Sequence, residues 1–101
     1  MEDARFTVFI LESARKYIDN LSKSEQGAIK ADMDAMKFGN FDSVYTKTLN
    51  GKIRELIVGR HRVSYFIIRN ALYFVRGFPK KSAKTPKKEI EYAEQVYTLM
   101  K

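Results

Sequence analysis

The 101-residue sequence contains no cysteine, which excludes disulfides, thiolate chemistry and cysteine-held zinc. It has one histidine, His61, so a histidine-rich metal site is excluded as well. No apolar run is long enough to cross a membrane. The start, Met1-Glu2-Asp3-Ala4-Arg5, is acidic where a secretory signal would be basic, and a cytoplasmic protein is expected. Acidic side chains nearly vanish from one long stretch: Lys52 to Lys88 holds eleven Lys and Arg and a single acid, Glu55. Composition leaves a carboxylate-held magnesium open, but this region has almost no acids to hold one, so neither metal nor cofactor is expected.

What is present is therefore segregated. The Lys52–Lys88 stretch carries +10, residues 1–51 carry −1 and residues 89–101 carry −2, which together give the formal +7 of the chain. The basic stretch is also the most apolar part, and its apolar residues run as strands. A sheet that keeps its apolar faces for packing must put its arginines at edges, ends and one open surface. That concentrates a positive field suited to a polyanion, nucleic acid or an acidic protein, whereas solubility alone is better served by mixed signs. At 45% hydrophobic and 31% charged residues, the composition fits one globular domain over residues 1–101.

Phe6–Ile10 is a β-prone run and a first strand. Ala14, Tyr17, Ile18 and Leu21 recur at helical spacing. Ser22-Lys23-Ser24-Glu25 has the form of a capping box, opening a second helix with Ile29, Met33 and Met36 on one face and Gly39-Asn40 at its end. Asn40–Gly51 reads as a polar connector. Three strands follow, Ile53–Val58, Arg62–Ile68 and Leu72–Phe78, with joints too short for crossovers, so they form an antiparallel meander. The last two are apolar on both faces and belong at the centre of the sheet. After the basic loop Lys80–Lys84, Thr85 reads as an N-cap and Pro86 as the first helical residue. Ile90, Ala93, Val96, Tyr97 and Met100 give a C-terminal amphipathic helix. The order is β-α-α-β-β-β-α, an α+β fold with a helical hairpin and a C-terminal helix on an antiparallel sheet.

That order, with Arg62-Val63-Ser64-Tyr65 and then Phe78-Pro79-Lys80-Lys81-Ser82-Ala83-Lys84-Thr85-Pro86-Lys87-Lys88-Glu89-Ile90, resembles the RelE/ParE toxin superfamily, above all its HigB-like, phage Gp49-like branch. The branch reads Glu-Leu-Arg, then Tyr-Arg-x-x-Tyr, then Phe-x-Lys-Lys-x-x-x-Thr-Pro-x-x-Glu-Ile. The last motif is the specific one. The resemblance implies the toxin of a type II toxin–antitoxin pair. It also implies a ribosome-dependent mRNA endoribonuclease, an mRNA interferase working in the ribosomal A site. Its antitoxin would be HigA-like, a small helix-turn-helix protein encoded nearby, acidic where it covers the Lys52–Lys88 surface. The ParE branch instead inhibits DNA gyrase. Two positions depart from the pattern: Ile57 follows Glu55-Leu56 where the family has arginine, and His61 precedes Arg62 where an aromatic is usual.

Metal-free RNA cleavage needs a base for the 2′-hydroxyl, cations for the pentacoordinate phosphorus and an acid for the leaving 5′-oxygen. Arg62 opens a central strand and is the candidate for gripping the scissile phosphate. Lys80 and Lys81 follow the third strand and reach the same place; a lysine among cations is eased towards its neutral, basic form. His61, between Arg60 and Arg62, is a further candidate base, since that neighbourhood favours neutral imidazole. Lys52 and Arg54 share a strand face. They would contact RNA phosphates with Arg60, Arg76, Lys84, Lys87 and Lys88, and Arg54 is the stand-in for the missing arginine if the strand twists or slips. Lysines at a helix start oppose its dipole, a local cost that a bound phosphate would offset. Tyr65 alternates onto the face opposite Arg62 and reads as core. Three functions follow: an mRNA interferase, a gyrase-directed or other protein-binding toxin, and a nucleic-acid-binding domain without catalysis.

Overall fold

Apolar residues alternate or run continuously in four of the five strands, and recur every three or four residues wherever helices cover the sheet. A computed structural model describes residues 3–101; the acidic start read at Met1 and Glu2 lies outside them. The elements are β1 (Thr7–Ile10), α1 (Glu12–Asp19), α2 (Lys23–Lys37), β2 (Tyr45–Asn50), β3 (Ile53–Val58), β4 (His61–Ile68), β5 (Ala71–Pro79) and α3 (Lys87–Met100). One five-stranded sheet has the order β1-β5-β4-β3-β2. β2 to β5 form an antiparallel meander and β1 pairs with β5 in parallel.

The α+β class holds, with one strand more than the sequence suggested. β2 occupies the segment read as a polar connector; it is an edge strand with mostly exposed side chains, so burial left little apolar alternation to read. The helix ends follow their local codes. Ser22 caps α2 through the expected box with Glu25. Gly39, at φ 82°, sends its N–H to the Met36 carbonyl while Asn40 bonds that of Ala35, the left-handed stop that only glycine adopts freely. The start of α3 differs from expectation. Pro86 itself stands at the N-cap in extended geometry, with no side chain capping, because Thr85 has a tertiary partner.

α1 and α2 cover one face of the sheet, where Ala14, Ile29, Met33 and Met36 pack on Leu56, Val63, Tyr65, Leu72 and Phe74. α3 covers part of the other, where Ala93 meets Ile53, Phe66 and Val75. Met100 is 41% exposed and does not join this packing. Between the Ser64–Arg76 and Tyr65–Phe74 pairs, Val75 is an extra residue on β5. This bulge turns both Val75 and Arg76 towards α3. The part of that face nearest the β3–β4 turn is left uncovered by helix.

α1 lies so close to β5 that a Cβ on Gly77 would collide with Tyr17 Cδ2 and meet its Cγ at 2.7 Å. Gly77→Ala is therefore expected to push α1 off the sheet and lower stability by about 1–3 kcal/mol, read by thermal melting.

Candidate functional site

The uncovered end of the second face forms a pocket of about 180 Å³. The register builds its floor: Ile57 of β3, Arg62 of β4 and Phe78 of β5 lie side by side across three strands. Its roof is residues 79–86, and Lys47 of β2 stands on its outer wall. The Arg62 side chain is only 12% exposed. Its Nη1 donates to the carbonyls of Gly59 (2.9 Å) and His61 (3.0 Å), and its Nε lies 3.9 Å from Glu55 Oε2. Glu55, 2% exposed, would be a costly buried carboxylate on its own. Thr85 Oγ1 donates to it at 2.8 Å, so the loop is latched to β3 through the one acid of the basic stretch. The Lys80 amide donates to the Arg60 carbonyl at 2.7 Å and fixes the loop's other end.

Thr85→Val removes the latch but keeps the shape. The loop 80–86 is expected to exchange its amide hydrogens faster and stability to fall by about 1–3 kcal/mol, since Glu55 keeps only Arg62 nearby. Hydrogen exchange and melting would measure both.

The expected cations divide. Arg62, Lys80, Lys81 and Lys84 line the pocket, the three lysines exposed, while Lys87 and Lys88 extend the charge along the first turn of α3. The others lie elsewhere. Arg54 is on the helical-hairpin face, its guanidinium donating to Tyr65 Oη, Thr48 Oγ1 and Thr46 Oγ1, so it does not replace a cation at position 57. Lys52 sits in the β2–β3 turn, at the end of the sheet away from the pocket. Arg76 is held by α3, with Nε 3.3 Å from Glu89 Oε1 and its guanidinium 4.5 Å over the Tyr92 ring. Arg60 is exposed in the β3–β4 turn and faces a separate cleft with Ser24 and Glu25.

His61 also leaves the candidate set for the pocket. It is the first residue of β4, not a turn residue, so its side chain points opposite to that of Arg62. There it is 7% exposed and joins three elements: Tyr17 Oη of α1 meets Nδ1 at 2.7 Å, and Nε2 meets Glu25 Oε2 of α2 at 2.6 Å. A neutral ring protonated on Nε2 satisfies both, accepting from Tyr17 and donating to Glu25. Burial raises the Tyr17 phenol above its ordinary pKa, so it stays a donor. The bond from His61, then those from the Ser22 side chain and backbone, lower Glu25 to about 2. Tyr65 is core, as alternation predicts, at 1% exposure. Among the described residues no three carboxylate or histidine side chains gather as metal ligands would.

Residues 16–98 match the family model of phage-derived Gp49-like proteins. The chain belongs to this family. Gp49-like proteins are the branch of the RelE/ParE toxin superfamily that the Phe78–Ile90 motif resembles, and the fold agrees. A chain of the archaeal RelE–RelB complex from Pyrococcus horikoshii OT3 superposes with a TM-score of 0.69 at 16% identity, covering 78% of this chain and 99% of that one. A chain of the RelB–RelE antitoxin–toxin complex from Methanococcus jannaschii gives 0.63 at 9% identity, covering 92% and 99%. One from the RelBE2 toxin–antitoxin complex of Mycobacterium tuberculosis gives 0.54 at 18% identity, covering 78% and 95%. These likenesses show the RelE-like fold. No curated protein sequence matches the chain.

In this Gp49-like protein the pocket holds a cation that the sequence reading did not single out, Lys47. It lies outside the Lys52–Lys88 stretch, on the strand read as a connector. The one available signal was the alternation of Tyr45-Thr46-Lys47-Thr48-Leu49, which puts Lys47 on the side opposite Thr46 and Thr48. Ile57 lies on the pocket floor, so the departure from the family pattern falls inside the site.

Proposed function

We propose that this chain is the toxin of a toxin–antitoxin pair and that its pocket cuts RNA, with ribosome-bound mRNA as the substrate. The observation that carries this reading is the convergence of Arg62, Lys80, Lys81, Lys84 and Lys47 on a single cavity, with the apolar Ile57 and Phe78 on either side of Arg62 in its floor. A nucleotide offers both a phosphate for the cations and a flat base for an apolar surface. Arg62 is held nearly rigid by two backbone carbonyls, so little reorganisation is needed when charge develops on phosphorus.

In this mechanism Arg62 and the neighbouring lysines neutralise the non-bridging oxygens of the scissile phosphate. A neutral lysine, Lys80 or Lys81, takes the proton of the 2′-hydroxyl. The 2′-oxygen then attacks phosphorus and the bond to the 5′-oxygen breaks, leaving a 2′,3′-cyclic phosphate. A second, protonated lysine supplies the proton to the departing 5′-oxygen. Atoms and charge balance without a metal.

The antitoxin partner is supported by the neighbours, which were solved as complexes of RelE with RelB. A HigA-like helix-turn-helix antitoxin is the finer proposal from the family branch, and cytoplasmic action follows from an mRNA substrate. The test is induced expression in a bacterium beside Arg62→Ala, with transcript 5′ ends mapped. Growth arrest with new 5′ ends inside codons, both lost in the variant, is the expected result. Arrest without transcript cleavage would sink the nuclease reading and move the target to gyrase or another protein.

A further inference from the structure

We infer that Lys47 is a phosphate-gripping residue of this pocket, so that RNA is held from two sides. This rests on the reading of the pocket as an RNA site and adds a residue and a binding geometry to it. The loop lysines Lys80, Lys81 and Lys84 approach the cavity from the β5 end of the sheet, while Lys47 approaches from β2, the strand at the open edge. Between them lies the floor, with Arg62 flanked by Ile57 on one side and Phe78 on the other.

The commitments of the neighbouring groups make Lys47 available. It pairs directly across the strands with Glu55, the position from which an acid would ordinarily hold it. Glu55 is buried instead, accepts from Thr85 and faces Arg62, and among the described residues no acid forms an ion pair with Lys47. Arg62 in turn gives Nη1 to two carbonyls and shares its charge with Glu55. The deep cation is thus partly compensated, while Lys47 and Lys84, exposed on the two walls, have no acid paired with them among the described residues. A nucleotide chain running from the loop to the edge of the sheet would place successive phosphates against the two walls, with the phosphate between them over Arg62.

A lysine on an edge strand also serves simply to discourage pairing with another sheet. That role needs a charge and no pocket, and the two are separable by experiment. The probe is a short single-stranded 2′-O-methyl RNA. It keeps its phosphates but lacks the nucleophile, so binding is read without cleavage. Affinity is measured across salt concentrations for the parent chain, Lys47→Ala, Lys47→Arg and Lys30→Ala; Lys30 is an exposed lysine of α2 away from the pocket and matches the change in net charge. Lys47→Ala is expected to bind about 3–10-fold more weakly at low salt, with a slope of log affinity against log salt shallower by about 0.7, one phosphate contact. Lys47→Arg is expected to keep the parent slope and Lys30→Ala to change it little. A Lys47→Ala slope equal to that of Lys30→Ala overturns the inference even where cleavage is observed. No binding by the parent chain overturns it as well. Binding that depends on Lys47 in a chain that never cuts RNA sustains it and removes only the nuclease reading.

Discussion

Arg62→Ala is expected to lower the rate of RNA cleavage by about 100- to 1000-fold, the range seen when one preorganised donor to a developing oxyanion is lost. The estimate sits at the strong end for a single cation because of how Arg62 is held. Its side chain is 12% exposed and its Nη1 is fixed by the Gly59 and His61 carbonyls, so water cannot easily take its place. Arg62→Lys is expected to recover only part of the rate, because a compact ammonium lacks the planar fork that anchors one nitrogen on the two carbonyls and leaves another to face a phosphate. Removing Arg62 also leaves Glu55 with Thr85 as its remaining partner. A melting curve must therefore accompany the kinetics. Single-turnover cleavage on programmed ribosomes, compared at a temperature where the variant is fully folded, makes the measurement. A loss under tenfold would move the phosphate grip to the lysines.

His61→Ala is expected to be the most destabilising of the polar substitutions, by roughly 2–4 kcal/mol. It empties a buried site and strands the Tyr17 hydroxyl, which is half-buried against β5. Glu25 is more exposed and contributes less through this route. The same residue sets a pH dependence. Glu25 is lowered to about 2 by His61 first and Ser22 second, against an ordinary 4.5. Its contribution is fully present above pH 4.5 and is lost as pH falls from there towards 2. In His61→Ala the largest cause is gone, so Glu25 titrates closer to its ordinary range. The variant's melting temperature is expected to fall less than the parent's over that window. Parallel acid slopes in parent and variant would count against the pairing.

Much of this fold was legible because its signals are local. The capping box at Ser22–Glu25, the glycine stop at Gly39 and the β-branched and aromatic runs of β3, β4 and β5 each sit within a few residues of one another. β2 was missed because an edge strand with exposed side chains has no need of apolar alternation; Tyr45 is 77% exposed. Thr85 was read as a cap because Thr-Pro before an amphipathic run has that local meaning, and only the fold brings Glu55 to its hydroxyl. The site was legible in part. Arg62, Lys80, Lys81 and Lys84 come together as the motif suggests. Arg54 and Arg76 found neutral oxygens, an acid and an aromatic ring in three dimensions, which no charge count along the chain reveals. His61 is instructive. Neighbours in a strand face opposite ways, so it and Arg62 could never share a pocket once β4 begins at His61; the error lay in taking the residue for part of the turn.

The parallel pairing of β1 with β5 has a consequence for how the molecule is made. Thr7 lies opposite Ala71, so the strand synthesised first has no partner until the last strand exists. The meander of β2 to β5 can zip through short hairpins, whereas docking β1 closes a loop through nearly the whole sheet, the slow kind of contact. The roof of the pocket comes later still, from residues 79–86. A growing chain therefore carries its cations without the cavity that gathers them, and the pocket exists only once the last strand and the loop after it are in place.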